Sequence, residues 1–276
     1  MLVANWYQVK EISKNVFWIK EPDLVSFYLF KYQDEALFID SGLGLSEKSF
    51  IGLCQYFSIK KYSVICTHAH SDHIGLNAFA EKCFISVTEW EKFLLQGEDK
   101  QLGYFLADLE KRNCLPSVLN KKDDRIIGNL AWKPTQYLTS NEVFTFHDWS
   151  FQIYETPGHT SGSLVFYEQR LNFIFVGDLV YNGTMYLHLK DSFCKDFLNS
   201  LNTLIKIIEM NPGIKIWPAH NGIPLESNFV FKTKLVLNLI IQKKIQSIQM
   251  VAKNEIFEEG QLFIHDSIKI ITRSKC

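Results

Sequence analysis

Between Thr67 and Gly75 the chain reads Thr67-His68-Ala69-His70-Ser71-Asp72-His73-Ile74-Gly75, which puts three histidines and one aspartate within six residues. Directly before it stands a short, partly β-branched apolar run, Tyr62-Ser63-Val64-Ile65-Cys66, which predicts a buried strand. The cluster therefore lies at a strand exit. Alternate side chains of an extended chain share a face, so His68 and His70 converge on one point. Asp72 and His73 fall where the chain turns into a predicted helix from Ile74 to Ala80, and they face a second point. Imidazole and carboxylate suit zinc, and also manganese and iron. Three histidines and an acid are too many for one tetrahedral ion that keeps an open position. Two ions, or one ion with a general base, fit the pattern. The chain has 8 histidines in 276 residues, so an exposed loop collecting three of them by chance is the weaker explanation.

The remaining segments supply more groups of the same kind. Residues 3–9, 15–20, 25–32 and 35–39 predict a strand meander ending in Leu37-Phe38-Ile39-Asp40. The Gly-containing turn Asp40-Ser41-Gly42-Leu43-Gly44 follows, and Asp40 is a candidate for orienting a ligand histidine or for a plain turn role. Ser46 caps a predicted helix over 47–57. A strand over 83–87 leads to a helix over 88–95, with Thr88 and Glu91 forming a capping box. Residues 96–135 mix charged runs (Gly97 to Lys100, Lys121 to Arg125) with apolar anchors at Tyr104, Phe105, Leu106, Leu109, Leu115 and Trp132. They predict a partly helical insertion that could lie as a lid over the site. Strands are predicted at 142–146 and 149–155, then the bend Thr156-Pro157-Gly158-His159-Thr160-Ser161-Gly162-Ser163, where Pro and Gly present His159 at a strand exit. Strands at 164–168 and 171–176 end in Gly177-Asp178. A loop over 179–192 carries Tyr181, Tyr186 and His188, with His188 read as a surface residue ahead of a substrate-binding one, and His147 and His265 as surface or core. A helix over 193–210, a strand over 214–217 ending near His220, a long helix over 226–250 and closing strands at 262–264 and 268–271 complete the reading. Four strand exits thus deliver His68/His70/Asp72/His73, His159, Asp178 and His220, enough ligands for two ions.

The length allows one large domain or two small ones, and 47% hydrophobic residues give ample core. A net charge of −1, with no basic cluster longer than Lys121-Lys122 or Lys243-Lys244, argues against nucleic acid. The 22 phenylalanines serve a core or an apolar pocket. Cysteines 54, 66, 83, 114, 194 and 276 form no C-x-x-C pair, and Cys66 reads as a buried structural thiol. No basic-then-apolar leader and no uninterrupted apolar run of about 18 residues is present. These features predict a cytoplasmic, reduced protein without a membrane span.

The set resembles the metallo-β-lactamase superfamily. Its His-x-His-x-Asp-His motif is met by His68, His70, Asp72 and His73, its Gly-His-Thr element by Gly158-His159-Thr160, its Gly-Asp strand end by Gly177-Asp178 and its late histidine by His220. The likeness runs from about residue 15 to 222. It implies a single domain over 1–276, interrupted by the 96–135 insertion, with an α/β (α+β) four-layer αββα sandwich of two mixed sheets and outer helices. It also implies two divalent ions, zinc first with iron or manganese as alternatives. His68, His70 and His159 would hold one ion, Asp72, His73 and His220 the other, and Asp178 would bridge. Trp6-Tyr7, Val16 to Glu21, Ile39 to Leu45 and Gly177 to Gly183 are similar to the acyl-CoA thioesterase branch. Tyr181 matches a tyrosine that lactonases of the superfamily place near the substrate carbonyl.

The activity so implied is a binuclear metal hydrolase cleaving a small-molecule acyl substrate, a thioester and above all acyl-CoA, with hydroxide supplied by a water whose pKa the cations lower to about 7. Asp72 would hold that water's proton and Tyr181 would donate to the substrate oxygen. A lactonase or β-lactamase is the alternative within hydrolases. A mononuclear iron dioxygenase of the persulfide type is the alternative outside them, and the complete second ligand set Asp72, His73 and His220 argues against it. A homodimer is compatible with the sequence.

Overall fold

Short apolar segments in the first forty positions form a meander of five antiparallel strands: β1 (Leu2–Val3), β2 (Tyr7–Ser13), β3 (Val16–Lys20), β4 (Ser26–Tyr32) and β5 (Glu35–Ile39). Asn15 and Gln33 sit at positive φ in two of the hairpin turns. The structure is a computed structural model that describes residues 1–96, 98–111, 117–120, 124–128, 130–253, 257–273 and 276. The chain divides into two compact units, Met1–Leu138 and Thr139–Cys276.

In the first unit β5 continues through helix α1 (Glu47–Phe57) to β6 (Lys61–Ile65), and β6 through the His-rich loop to β7 (Lys82–Ser86). Helix α2 (Val87–Gln96) and helix α3 (Glu98–Lys111) follow, then β8 (Gln136–Leu138). The pairs β5–β6, β6–β7 and β7–β8 are parallel, so one mixed eight-stranded sheet runs in sequence order. Ser46 caps α1 as predicted, its Oγ accepting from Ser49 N at 2.9 Å, and Ser58 at φ 54° closes the helix. Phe50 and Phe57 on its inner face meet Tyr62 and Phe17, with ring centroids 5.4 and 4.7 Å apart.

Three expectations change here. The helix predicted from Ile74 to Ala80 is only a single 3₁₀ turn, Asn77–Phe79. Its backbone groups are taken by other segments: Gly75 N donates to Gly42 O at 2.7 Å, Ser41 N to His73 O at 2.8 Å, and Tyr62 Oη to Leu76 O at 2.6 Å. An α-helical ladder cannot form while those partners hold. Helix α2 is capped by Ser86, whose Oγ accepts from Glu89 N at 3.1 Å, rather than by Thr88 with Glu91. The predicted insertion is partly helical, as α3 and a 3₁₀ turn at Ser117–Asn120 show, but it ends by contributing β8 to the sheet. Its anchors Leu109 and Trp132 are buried and Leu106 is half-buried. The side chains of Tyr104, Phe105 and Glu98 to Lys100, and residues Gly97, Leu115 and Lys121 to Asp123, lie outside the described residues.

The second unit holds two mixed sheets. One contains β9 (Val143–Phe146), β10 (Trp149–Glu155), β11 (Leu164–Glu168), β12 (Phe173–Gly177) and β14 (Lys215–Pro218), with β12 and β14 parallel. The other pairs β13 (Thr184–Leu187) in parallel with β17 (Ile268–Arg273), then β16 (Gly260–His265) and β15 (Gln249–Val251) antiparallel. Helix α4 (Cys194–Met210) buries Phe197, Leu201, Leu204, Ile205 and Ile208, a helical-period stripe, in a core with Ile174, Val176 and Ile216.

The helix predicted over 226–250 stops early. It is α5 (Ser227–Ile241), ended where Lys243 turns to φ 54° and Lys244 N returns to Leu239 O at 2.8 Å. The freed residues reach β15. Strand β13 lies inside the stretch read as a loop over 179–192. Cys194 and Cys276 form a disulfide across 82 residues of sequence, where the sequence predicted a reduced chain. No described helix is long and apolar enough to cross a membrane.

Candidate metal centre

The first unit presents His68, His70, Asp72 and His73 from the loop after β6. Asp40, at the end of β5, organises them from below. Its Oδ1 accepts from Thr67 N at 2.7 Å, and its Oδ2 accepts from Thr67 Oγ1 and faces His73 Nδ1, both at 2.8 Å. The parallel pairing of β5 and β6 makes this contact, since it sets the ends of the two strands side by side. A carboxylate only accepts, so His73 carries its proton on Nδ1 and its lone pair on Nε2. Thr67 Oγ1 has spent its one hydrogen on Asp40. It can only accept from His68 Nδ1, 3.0 Å away, which leaves the His68 lone pair on Nε2 as well. Asp40 thus has the orienting role that the sequence allowed it.

The donor atoms meet in pairs. His68 Nε2 lies 2.9 Å from His70 Nδ1, and His73 Nε2 lies 3.7 Å from Asp72 Oδ1. With metal–ligand bonds of about 2.0–2.1 Å, two ligand atoms of one tetrahedral ion stand roughly 3.3 Å apart. Both pairs bracket that spacing. His68 and His73 are buried, while His70 and Asp72 are half-exposed, so the donors line a surface that solvent and substrate can reach.

The second unit presents His159, Asp178 and His220 from the exits of β10, β12 and β14. His159 Nδ1 donates to the carbonyl of Tyr186 at 3.1 Å, which again leaves the lone pair on Nε2. That Nε2 stands 3.5 Å from Asp178 Oδ2, and His220 Nε2 stands 3.2 Å from Asp178 Oδ1. One histidine faces each oxygen, the geometry of a carboxylate that can serve two ions. Gly158, at φ 135°, cannot be enlarged here, because a Cβ would stand 2.3 Å from the Phe197 backbone. Phe193 N adds a bond to Gly158 O at 3.0 Å, so the start of α4 fixes the His159 loop.

The donor set suits divalent cations in charge as well as in spacing. Glu21, Asp40 and Glu89 are all buried in the first unit, and no lysine or arginine is buried among the described residues. N–H and O–H donors hold these acids instead. Burial raises the Glu21 carboxyl to about 7, against the stabilising donors Leu43 N–H and Trp6 Nε1–H. Divalent cations on the ligand face would place positive charge near these acids.

Tyr181 is buried, with its ring 5.1 Å from that of His220 and its hydroxyl donating to Thr184 O at 2.6 Å. His188 departs from expectation. It is 1% exposed, stacked on Phe257 at 4.7 Å, and burial, with the charge of Arg273, lowers its pKa to about 4. His147 is exposed and His265 half-buried. Cys66 is buried and accepts from Asn77 Nδ2 at 3.3 Å, a structural thiol as read. Sequence reasoning missed Glu21, which binds Leu43 N at 2.7 Å, and Glu89, which binds Ala69 N at 3.0 Å. An acid beside Pro22 at a strand end, and a Ser-x-x-Glu at Ser86, were their only signals.

Comparison with known proteins agrees with this geometry. The sequence profile of the metallo-beta-lactamase superfamily matches residues 21–220. An acyl-coenzyme A thioesterase MBLAC2 of Homo sapiens is 25% identical over 235 residues, covering 80% of this chain and 83% of that protein. A hydroxyacylglutathione hydrolase GloC of Haemophilus influenzae is 28% identical over 120 residues, 44% of this chain and 50% of that protein. Among solved structures, a beta-lactamase domain protein from Burkholderia ambifaria superposes with a TM-score of 0.62 at 16% identity, covering 89% of this chain and 80% of that one. A metallo-beta-lactamase family protein from Thermus thermophilus gives 0.60 at 19% identity, covering 84% and 82%. The fold is that of this family, α+β with mixed sheets and helices. With the profile spanning every candidate ligand from His68 to His220, the chain belongs to the metallo-β-lactamase superfamily, as a metal-dependent hydrolase.

Proposed function

We propose that the two units act as halves of one domain and that their seven ligands hold two divalent ions, zinc first, for the hydrolysis of thioesters, acyl-CoA above all. His68, His70 and His159 would hold one ion, Asp72, His73 and His220 the other, with Asp178 available to both. The observation that carries this reading is the set of imidazoles turned by Asp40, Thr67 and the Tyr186 carbonyl so that each Nε2 carries its lone pair toward another ligand. The one-domain reading is supported by a family profile that runs without regard to the boundary near residue 138.

Bound divalent ions polarise a carbonyl and bring the pKa of a water to about 7. The side chains do the rest. Asp72, half-exposed beside His73, accepts and holds the proton of the attacking water. The buried rings of His68, His73 and His159 stay fixed by their Nδ1 partners, so little reorganisation is needed on reaction. Tyr181, packed on His220, reaches the substrate oxygen by turning its hydroxyl from Thr184 O. An open cavity of about 420 Å³ in the first unit, lined by Leu45, Leu106, Val118, Leu119 and Ile126 together with the acids Glu110 and Asp124, has apolar surface that an acyl chain could use, with part of the insertion forming its wall.

Thioesters are preferred because the acyl-CoA thioesterase and the hydroxyacylglutathione hydrolase among the relatives both bear names of thioester cleavage. A net charge of −1 gives nucleic acid no counterpart. The cytoplasmic placement fits the free thiols of Cys54, Cys66 and Cys83, while the Cys194–Cys276 bond favours an oxidising setting.

The test is a panel of acyl-CoA, lactone, lactam and S-lactoylglutathione substrates on metal-loaded protein. Acyl-CoA turnover ahead of the others, abolished by Asp72→Ala, is expected. Lactone or lactam turnover ahead of every thioester overturns the substrate assignment, and full turnover by metal-free protein overturns the metal assignment.

A further inference from the structure

Glu89 is a buried acid that the mechanism above does not use. It stands in the first turn of α2 and is 3% exposed. Ser86 Oγ caps its backbone N–H at 3.1 Å, the N-cap bond of a capping box. Glu89 Oε2 also reaches outside the helix and accepts from Ala69 N at 3.0 Å. Ala69 is itself buried and lies between His68 and His70, whose ring nitrogens are 2.9 Å apart.

The sheet makes this contact. β6 and β7 are parallel neighbours, and Cys66 N donates to Phe84 O at 2.9 Å just past the paired residues. The chain leaving β6 becomes the His-rich loop, and the chain leaving β7 becomes α2. Adjacent parallel strands therefore bring the first turn of α2 beside the loop. A side-chain oxygen anchored in the first turn of a helix holds a buried loop amide in one orientation, because the bond weakens steeply once its angle departs from linear. The Ala69 amide belongs to the stretch of backbone that joins His68 to His70, so holding it fixes the points from which both rings project toward one another.

We propose that Glu89 is a positioning residue of the metal centre: through the Ala69 amide it holds the His68 and His70 rings at the spacing of two ligands on one ion. The proposal rests on the metal reading given above. Asp40 and Thr67 fix the ring tautomers of this loop; Glu89 fixes its backbone.

Two conservative variants separate reach from charge. Glu89→Gln keeps an oxygen at the same distance from Ala69 N but loses the charge. Glu89→Asp keeps the charge but withdraws it by one methylene. Metal-free wild type and both variants are titrated with cobalt(II), reading affinity and the ligand-field absorption bands, with circular dichroism to confirm folding. Positioning predicts that the Gln variant binds within about 5-fold of wild type with its spectrum preserved. It predicts that the Asp variant binds about 10- to 100-fold more weakly with altered bands. The reverse order overturns the proposal, and so does an Asp variant that binds like wild type. A wild-type protein that takes up no cobalt overturns the metal reading itself, and this inference with it.

Discussion

Asp40→Asn replaces one carboxylate oxygen by an NH₂ group without changing shape. The backbone tolerates it, since residue 40 sits at φ 57°, a left-handed conformation that asparagine adopts at least as readily as aspartate. The hydrogen bonds do not tolerate it. Oδ1 receives the Thr67 backbone N–H at 2.7 Å, and Oδ2 receives His73 Nδ1–H at 2.8 Å. One asparagine rotamer points its NH₂ at the Thr67 amide, which can only donate. The other points it at His73, which must then shift its proton to Nε2 and lose the lone pair that faces Asp72. Asp40 is 3% exposed, so water cannot repair either clash, and a buried unsatisfied donor costs about 1–3 kcal/mol. For the ion that uses His73, loss of such an orienting group weakens binding by about 10- to 100-fold, or about 1.4–2.7 kcal/mol. Competition with a chromogenic zinc chelator at pH 7.5 measures both ions in wild type and variant. The expected result is the His73 ion weakened by this factor, with a loss at the His68 ion as well, because the Thr67 hydroxyl can no longer donate to residue 40 and turns its hydrogen to His68 Nδ1. Wild-type affinity for both ions would refute the claim that Asp40 sets the His73 tautomer.

Gly75→Ala should cost about 3 kcal/mol in urea unfolding, because its Cβ would stand 2.2 Å from Leu43 C and 2.4 Å from Gly44 N, backbone atoms that cannot rotate away. An unchanged midpoint would contradict that packing. The His188 pKa, lowered in the fold from 6.5 to about 4, means that the folded chain binds this proton less well than the unfolded chain. Its contribution is therefore complete above pH 6.5 and is lost as pH falls toward 4, by up to about 3 kcal/mol. His188→Phe, compared with wild type in metal-free protein, should flatten the acid side of the stability curve by that amount; parallel curves would contradict it. Opening the Cys194–Cys276 bond, which closes a loop across 82 residues, should lower stability by roughly 4–5 kcal/mol. Reduced wild type and Cys276→Ser should then melt together, and no shift on reduction, with both thiols titratable, would contradict the estimate.

The features legible in the sequence were local ones. Six residues from His68 to His73 carry four donors in a row, and Ser46 sits just where α1 begins, so both could be read from spacing. The exits of β12 and β14 announced Asp178 and His220 in the same way. What was missed depends on contacts between distant segments. The helical pattern from Ile74 to Ala80 yields because Gly42, Ser41 and Tyr62 claim its backbone groups. Thr184–Leu187 becomes a strand only because Ile268–Arg273 lies alongside it. Glu89 looks like an ordinary first-turn acid until parallel strands set it against Ala69. Cys194 and Cys276 carry no spacing signal at all.

The central claim is that donors from both halves of the chain gather around a pair of ions. Anomalous diffraction from zinc-loaded crystals, collected above the zinc edge, tests it most directly. The account predicts two peaks about 3.5–4 Å apart, one against His68, His70 and His159, the other against Asp72, His73 and His220, with Asp178 touching both. Peaks only at exposed histidines such as His147, or none at all, would contradict it.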